Sequence, residues 1–235
     1  MRDPIYKPKG AAAEYGELAL NIYQGCVHGC SYCYVPAVLR IDRETFHSQS
    51  SPRPGIIEAT EKQLAKGKIQ GQTIFLCFTC DPYPVGCDST ATREIIKLIK
   101  ESGNHVKILT KGGRTAQRDL DLLDDNDWFG ITLSGASRED EPGADYPFQR
   151  VIALKKAKSL RLNTWISCEP VINPENILML MDMIDLYVDH WAIGKLNHKK
   201  SDVDWADFGN RAERRCKSLG LDYTIKDDLR KEMAK

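Results

Sequence analysis

Apolar and β-branched runs of strand length alternate along the chain with segments of helical periodicity. Six such runs span residues 18–25, 73–79, 105–111, 128–134, 163–170 and 190–197. Between them, apolar side chains recur at the spacing of an amphipathic helix, as at Ile95, Leu98 and Ile99. Strands that are apolar on both faces and alternate with helices are typical of a parallel sheet covered by helices. The pattern therefore predicts an α/β fold.

The number of strands limits the architecture. Six strand–helix units are too few for a closed eight-stranded barrel, so periodicity leaves open both a partial barrel and a doubly wound sheet. Residues 222–226 are a candidate seventh strand, within a C-terminal segment (203–235) that also predicts a helix. No linker or internal repeat divides the chain, so we expect one domain over residues 1–235 with its core at about 16–200.

One stretch breaks the alternation of strands and helices. Residues 35–55 contain Pro36, Pro52 and Pro54 together with the polar run SQSS. They predict an irregular excursion, which ends where a helix begins near Ile56.

Composition and charge limit the partners and the cellular compartment that we expect for the protein. Thirty-three basic and 33 acidic residues cancel, so no overall field directs the protein to nucleic acid or to an anionic membrane. The start of the sequence lacks the apolar core of a signal peptide, and no apolar run approaches the ~18 residues of a membrane span. We therefore expect a cytoplasmic protein without a membrane partner. Its eight cysteines should be reduced there, so clustering among them favours a metal over a cross-link.

Polar residues collect where the predicted strands end. In parallel α/β folds ligands bind at the carboxyl ends of the strands, because the loops converge there. The polar residues at these ends are Thr79, Asp81, Lys111, Ser134, Glu169, Lys195, Asn197 and His198. The loop after the first strand adds three cysteines. The sequence therefore predicts a single functional rim.

Cys26, Cys30 and Cys33 lie within the stretch GCVHGCSYC at a C-x3-C-x2-C spacing. A structural zinc site usually needs four ligands, and only His28 is near enough in sequence to be the fourth. A four-iron cluster is normally held by four thiolates, so three leave one iron open to a substrate or cofactor. Zinc and chemically idle thiols remain alternatives, but three cysteines in nine residues favour the open cluster.

With Tyr32 as the aromatic residue, C-x3-C-x-aromatic-C after the first strand of an α/β barrel resembles the signature of the radical S-adenosylmethionine (SAM) enzymes. Further segments resemble one branch, the spore photoproduct lyase-like or DNA repair photolyase family: KPKGAAAEY, NIYQGCVHGCSYCYVP, TCDPYP and ILTKGGRTAQRDLDLL. The likeness runs from about residue 7 to 198. It implies a partial (β/α)6 barrel of the radical SAM type.

The resemblance also implies cofactors and site residues. Cys26, Cys30 and Cys33 would hold a [4Fe-4S] cluster whose open iron chelates SAM, and an electron from the cluster would cleave SAM to a 5′-deoxyadenosyl radical. By the same likeness, Thr79 and Asp81 meet the methionine amino group, Lys111 pairs with its carboxylate, and Ser134 reaches the ribose or the carboxylate. Each has a structural alternative as a turn former, a solvated strand end or a helix cap.

Glu169 is costly to bury at the end of an apolar strand unless it has a partner. A ribose hydroxyl or a substrate amine would satisfy it, as would an ion pair with Lys195.

Cys80 is the candidate hydrogen donor to a substrate radical. Spore photoproduct lyase has its hydrogen-donating cysteine at a position where this chain has Phe78, between Cys77 and Cys80. Strand alternation predicts that Cys77 shares the face of Thr79, whereas Phe78 and Cys80 point the other way unless the turn at Asp81 rotates the chain first.

The resemblance finally implies a reaction class and partners. It predicts a radical SAM enzyme, a lyase or another radical transformation, that abstracts hydrogen from an unidentified substrate, with a nucleic acid base as the candidate. Flavodoxin or ferredoxin is the expected electron donor. The alternative is an iron–sulfur electron-transfer or sensing protein that never cleaves SAM; such a protein has no use for Asp81, Lys111 and Ser134.

Overall fold

The computed structural model describes residues 3–235, and its centre is one curled sheet of seven parallel strands. The strands are β1 (Leu18–Leu20), β2 (Thr73–Leu76), β3 (His105–Thr110), β4 (Trp128–Thr132), β5 (Asn163–Cys168), β6 (His190–Ile193) and β7 (Tyr223–Ile225). They lie side by side in chain order. In a doubly wound sheet, successive strands are added first on one side of the first strand and then on the other. The simple chain order seen here excludes that arrangement and confirms the partial barrel. The candidate seventh strand is confirmed by β7.

Helices follow most strands. They are α1 (Val35–Leu39), α2 (Arg43–His47), α3 (Ile56–Leu64), α4 (Thr90–Glu101), α5 (Gly113–Ala116), α6 (Pro147–Ser159), α7 (Pro174–Ile184), α8 (Trp205–Leu219) and α9 (Asp227–Met233). Those from α3 onwards contribute to the core on the convex face of the sheet. Three 3-10 helices lie at Gly10–Tyr15, Gln117–Leu122 and Asp185–Tyr187. Among residues 3–235, none of the helices combines the length and the apolar character that a membrane crossing requires.

The prediction of an irregular excursion over residues 35–55 is wrong in part. The segment contains α1 and α2, and Ser51–Pro52 pairs with Tyr23–Gln24 in a short antiparallel ribbon. Its prolines do not prevent this, because Pro36 occupies the first turn of α1, where a missing N–H costs little. Asp42 caps α2 by accepting a bond from the Thr45 amide at 2.8 Å. The helix predicted near Ile56 is α3.

The two faces of the sheet carry different cores. Ile74 and Leu76 pack with the helices, whereas Phe75 points to the concave face because side chains alternate along a strand. On that face Phe75 and Trp165 form a small aromatic core. The indole of Trp165 lies across Gly130, where a Cβ would come within 2.2 Å of its Nε1. A glycine on β4 therefore makes room for the aromatic floor of the half-barrel.

The N-terminal 3-10 helix (Gly10–Tyr15) adds a tyrosine to this floor. The ring of Tyr15 lies 5.6 Å from Phe75, 6.0 Å from Phe78 and 5.8 Å from Trp165, measured between centroids. The ammonium of Lys226, which follows β7, lies 3.8 Å from the Tyr15 centroid. The first and last parts of the chain thus meet beneath the concave face.

Candidate functional site

The loop that carries the three cysteines, residues 25–34, is held in place by α2. The amide of Cys26 donates to the carbonyl of Phe46 at 3.1 Å, and the ring of His47 bonds the carbonyl of Cys26 at 2.8 Å. Arg43 donates to the carbonyl oxygens of Cys30 and Cys33. The predicted irregular excursion is therefore the frame that shapes the cysteine loop.

All three thiols line one cavity of about 530 Å³ at the carboxyl ends of the strands. Cys30 is buried, and Cys26 and Cys33 are half-buried. Burial raises the pKa of all three thiols, and Asp81 raises that of Cys26 further. A thiolate at these positions therefore needs positive charge beside it, such as the iron of a cluster.

The spacing of the sulfur atoms argues against a single zinc ion. Among residues 3–235, the one group of three or more potential ligands whose atoms all lie within 4.8 Å of one another is His105, Asp124 and Asp127, at the opposite end of the sheet. Zinc–sulfur bonds of about 2.3 Å would bring tetrahedral thiolates to about 3.8 Å apart. Cys26, Cys30 and Cys33 do not form such a group, so at least two of their sulfur atoms are more than 4.8 Å apart, which fits a cluster better than one ion.

His28 is not free to act as a fourth ligand. Its side chain is buried, and its Nε2 accepts a hydrogen bond from the Val85 amide at 3.1 Å. The proton therefore lies on Nδ1, which faces the Asp81 carboxylate at 3.5 Å. Burial lowers the pKa of this histidine, so the ring is neutral. His28 joins the cysteine loop to the turn after β2.

Asp81 connects the ends of β2 and β3. Its carboxylate accepts hydrogen bonds from the Tyr83 amide at 2.8 Å, the Thr110 hydroxyl at 2.5 Å and the Lys111 amide at 2.8 Å. The side chain is nearly buried but still borders the cavity. Three internal donors hold the carboxylate in one orientation, a structural role that the sequence did not reveal. Its role toward SAM stays a prediction.

Thr79 and Lys111 also line the cavity. The Thr79 hydroxyl accepts a long bond of 3.4 Å from Arg53, and its amide donates to Asn21 at 2.9 Å. The ammonium of Lys111 lies 5.6 Å from the centroid of the Tyr32 ring. In the described part of the chain Lys111 makes no ion pair, so its charge is available to an anion in the cavity.

Ser134 is placed behind the cavity wall. It is buried, and its hydroxyl donates to the carboxylate of Glu141 at 2.8 Å. Glu141 also accepts from the Tyr32 hydroxyl and pairs with the buried Arg150. The sequence does not single out Glu141, because residues 135–146 look like an ordinary polar loop, or Arg150, which looks like one more charged residue of helix α6. The predicted contact of Ser134 with SAM stays a prediction.

Glu169 lies at the end of β5, and its partner is not Lys195. Lys195 pairs with Glu232, so the alternative of an ion pair between Lys195 and Glu169 is wrong. Glu169 instead accepts a 2.5 Å hydrogen bond from the Tyr15 hydroxyl and has Lys226 at 3.9 Å. Burial raises the pKa of Glu169, and Lys226 and Tyr15 oppose that shift.

The expected alternation from Cys77 to Cys80 does not apply. The strand β2 ends at Leu76, so the residues that follow are no longer pleated. Cys77, Phe78, Thr79 and Cys80 all border the cavity. The ring of Phe78 stacks on Phe75 at 4.3 Å between centroids.

Comparison with known proteins agrees with this geometry. A family model of the radical SAM superfamily matches residues 20–187. An uncharacterised protein of Acidianus two-tailed virus, ORF301, is 25% identical, with 85% of this chain and 76% of that protein covered.

Solved structures share the fold. A spore photoproduct lyase in complex with dinucleoside spore photoproduct matches with 15% identity and a TM-score of 0.65, covering 94% of this chain and 66% of the lyase. A point mutant of spore photoproduct lyase matches with 12% identity and a TM-score of 0.72, covering 97% and 80%. Streptococcus suis SuiB bound to its precursor peptide SuiA matches with 15% identity and a TM-score of 0.64, covering 87% and 48%.

The solved structures support the fold, and the family model supports the family. The chain spans about two thirds of the first of these lyase structures, and at such identities the structures show a common fold. The family model covers most of the chain, including Cys26, Cys30 and Cys33, and this agrees with the resemblance of the motifs to the photolyase-like branch. The chain therefore belongs to the radical SAM superfamily.

Proposed function

We propose that this chain is a radical SAM enzyme that holds a [4Fe-4S] cluster on Cys26, Cys30 and Cys33 and abstracts hydrogen from a substrate of the nucleic acid base class. One observation carries the proposal: the three thiols and the strand-end residues Thr79, Asp81, Lys111 and Glu169 all border the same cavity. A purely structural cluster or an electron carrier has no need for such a rim.

The residues of the rim divide the binding of SAM between them. When bound, the cluster and SAM together supply the one-electron cleavage that starts radical chemistry. Lys111 places an unpaired ammonium beside Tyr32, where it neutralises the methionine carboxylate. Asp81 and Thr79 offer oxygen acceptors to the amino group. The bonds from Tyr83 and Thr110 hold Asp81 in one orientation, so binding requires little reorganisation.

The aromatic floor supports a planar substrate. Phe78 and Tyr15 present ring surfaces to the cavity, and Phe75 supports them from below. Aromatic side chains stack on every base, at about 1–3 kcal/mol per base. Glu169 at the same edge accepts a hydrogen bond from an N–H or O–H group. The lyase structure holds a dinucleoside photoproduct and SuiB holds a peptide, and the stacked rings favour the base.

The electron and the hydrogen atom have proposed sources as well. We expect a flavodoxin or ferredoxin to reduce the cluster. Cys80 borders the cavity and is the candidate hydrogen donor, since Phe78 carries no exchangeable hydrogen.

Anaerobic reconstitution with iron and sulfide, followed by dithionite and SAM, tests the proposal. We expect 5′-deoxyadenosine from the wild type and from Cys87→Ala, whose thiol does not border the cavity, but none from Cys26→Ala, Cys30→Ala or Cys33→Ala. A full cluster with no 5′-deoxyadenosine would support the electron-transfer alternative. To test the substrate class, dinucleotides and peptides of equal length are compared for transfer of deuterium into 5′-deoxyadenosine.

A further inference from the structure

Two further cysteines stand side by side on the cavity wall. Cys77 and Cys80 form the sequence Cys-Phe-Thr-Cys directly after β2. The sulfur of Cys77 accepts a hydrogen bond from the Ile22 amide at 3.5 Å, and that of Cys80 accepts one from the Tyr23 amide at 3.4 Å. The two donors are consecutive in the chain, so both thiols lie against the same stretch of backbone, and the side chain of Cys77 contacts that of Cys80.

The two thiols differ in access. Cys80 is half-buried and borders the cavity, whereas Cys77 is buried with 7% of its surface exposed. Burial and then the contact with Cys80 raise the pKa of Cys77. A reagent that enters the cavity therefore meets Cys80 first, with Cys77 behind it as the second thiol.

Another pair of cysteines shows what a purely structural arrangement looks like. Cys168 and Cys216 lie in the core beneath the helices with no exposed surface, and neither borders the cavity. Thiols in such surroundings are inert, because reagents do not reach them. Cys77 and Cys80 are distinguished from them by the cavity and by their short separation along the chain.

We propose that Cys77 and Cys80 are a redox-active thiol pair, which a small-molecule disulfide such as oxidised glutathione converts into an intramolecular disulfide. The Cys80 thiolate attacks one sulfur of the reagent, the reagent's S–S bond breaks, and one glutathione leaves. Cys77 then loses its proton and attacks the Cys80 sulfur of the mixed disulfide, which releases the second glutathione. The two protein thiols are oxidised, one reagent disulfide is reduced, and the two protons are taken up by the leaving thiolates.

Oxidation would change the chemistry of the cavity wall. The disulfide carries no S–H bond, so the wall loses the hydrogen that Cys80 offers, and dithiothreitol restores it. This inference does not rest on the proposed function, since thiol–disulfide exchange needs neither SAM nor a reduced cluster.

Peptide mapping of the cluster-loaded protein tests the pair. The protein is treated anaerobically with oxidised glutathione, alkylated and digested with trypsin, which releases residues 69–93 with Cys77, Cys80 and Cys87 in one peptide. We expect this peptide to carry one alkyl group, on Cys87, and to lose the mass of two hydrogen atoms. In Cys77→Ala the glutathione should remain attached to Cys80, because the second thiol is missing. Cys87→Ala, the matched control, should still form the disulfide.

The wild-type result alone decides the proposal, even where a variant folds poorly. Glutathione retained on Cys80 with Cys77 alkylated would show that the sulfurs do not meet. As a check on the reagent, the same treatment must fully modify a free peptide that reacts with glutathione. If all three cysteines of the protein are nevertheless alkylated, both Cys77 and Cys80 are structural. Either outcome overturns the assignment.

Discussion

The hydroxyl of Tyr32 donates a hydrogen bond to the carboxylate of Glu141, which lies 109 residues further along the chain. Tyr32 is the aromatic residue between Cys30 and Cys33, so this bond ties the cysteine loop to the loop after β4. Arg150 pairs with the same carboxylate, and both charged side chains are at most 4% exposed. The loop that would hold the cluster thus rests on a buried ion pair.

Glu141→Gln should destabilise the fold. The substitution keeps the shape of the side chain but leaves the Arg150 guanidinium buried without a counter-charge, which costs about 3–5 kcal/mol. Chemical denaturation of the cluster-free protein should show a loss of that size in the free energy of unfolding. Glu139→Gln, an exposed neighbour in the same loop, should change it little. Equal behaviour of the two variants would mean that the ion pair contributes nothing to stability.

The same carboxylate predicts a pH dependence. Burial alone would raise the pKa of Glu141, but Lys111, Arg150 and its hydrogen bonds lower it from 4.5 to about 2. The folded-state pKa is below the unfolded one, so the stabilisation is complete above about pH 4.5 and is lost as the pH falls toward 2. The difference in unfolding free energy between wild type and Glu141→Gln should therefore shrink between those values. A constant difference would contradict the assigned shift.

Gly143→Ala should disturb the cysteine loop directly. A Cβ at this position would lie 2.1 Å from the Val27 carbonyl oxygen and 3.0 Å from the His28 Cα, so the loop would have to move. We expect a lower iron content per chain after reconstitution and a loss of about 1–3 kcal/mol of stability from overpacking. Gly16→Ala is the control, because its nearest neighbours would be 3.9 Å away. Full iron content in Gly143→Ala would show that the loop tolerates the shift.

Lys111→Met should weaken SAM binding while the cluster remains. The change removes the ammonium and keeps most of the apolar stem, so the expected cost is ~1.5–3 kcal/mol, the scale of a charged hydrogen bond. Equilibrium binding of SAM to the reconstituted protein measures this, with iron content as the internal check. Lys62→Met, on the exposed face of α3, is the matched control. Unchanged affinity would mean that Lys111 is a solvated residue at the end of its strand and does not bind SAM.

Much of the fold was predictable, because local patterns determine it. Strand-length apolar runs gave the parallel sheet, and the C-x3-C-x2-C spacing located the cysteine loop. Parallel strands bring their carboxyl ends to one edge, so Thr79, Asp81, Lys111 and Glu169 were expected together, and they do border one cavity.

What the sequence missed depends on contacts between distant segments. Glu169 was considered for a pair with Lys195, on the adjacent strand end, but Tyr15 and Lys226 reach it from the two ends of the chain. The hydrogen bond from the Ser134 hydroxyl to Glu141, seven residues away in the next loop, is likewise not visible in the strand-end pattern. Periodicity describes neighbours along one element, and it holds no information about which loops fold back onto it.

The most direct test of the central claim is the electron paramagnetic resonance spectrum of the dithionite-reduced protein with and without SAM. If Cys26, Cys30 and Cys33 are the only protein ligands, one iron is open, and SAM bound at that iron must change its surroundings. We predict that SAM shifts the g-values of the reduced cluster in the wild type. A well-formed cluster whose spectrum is the same with saturating SAM would contradict the account.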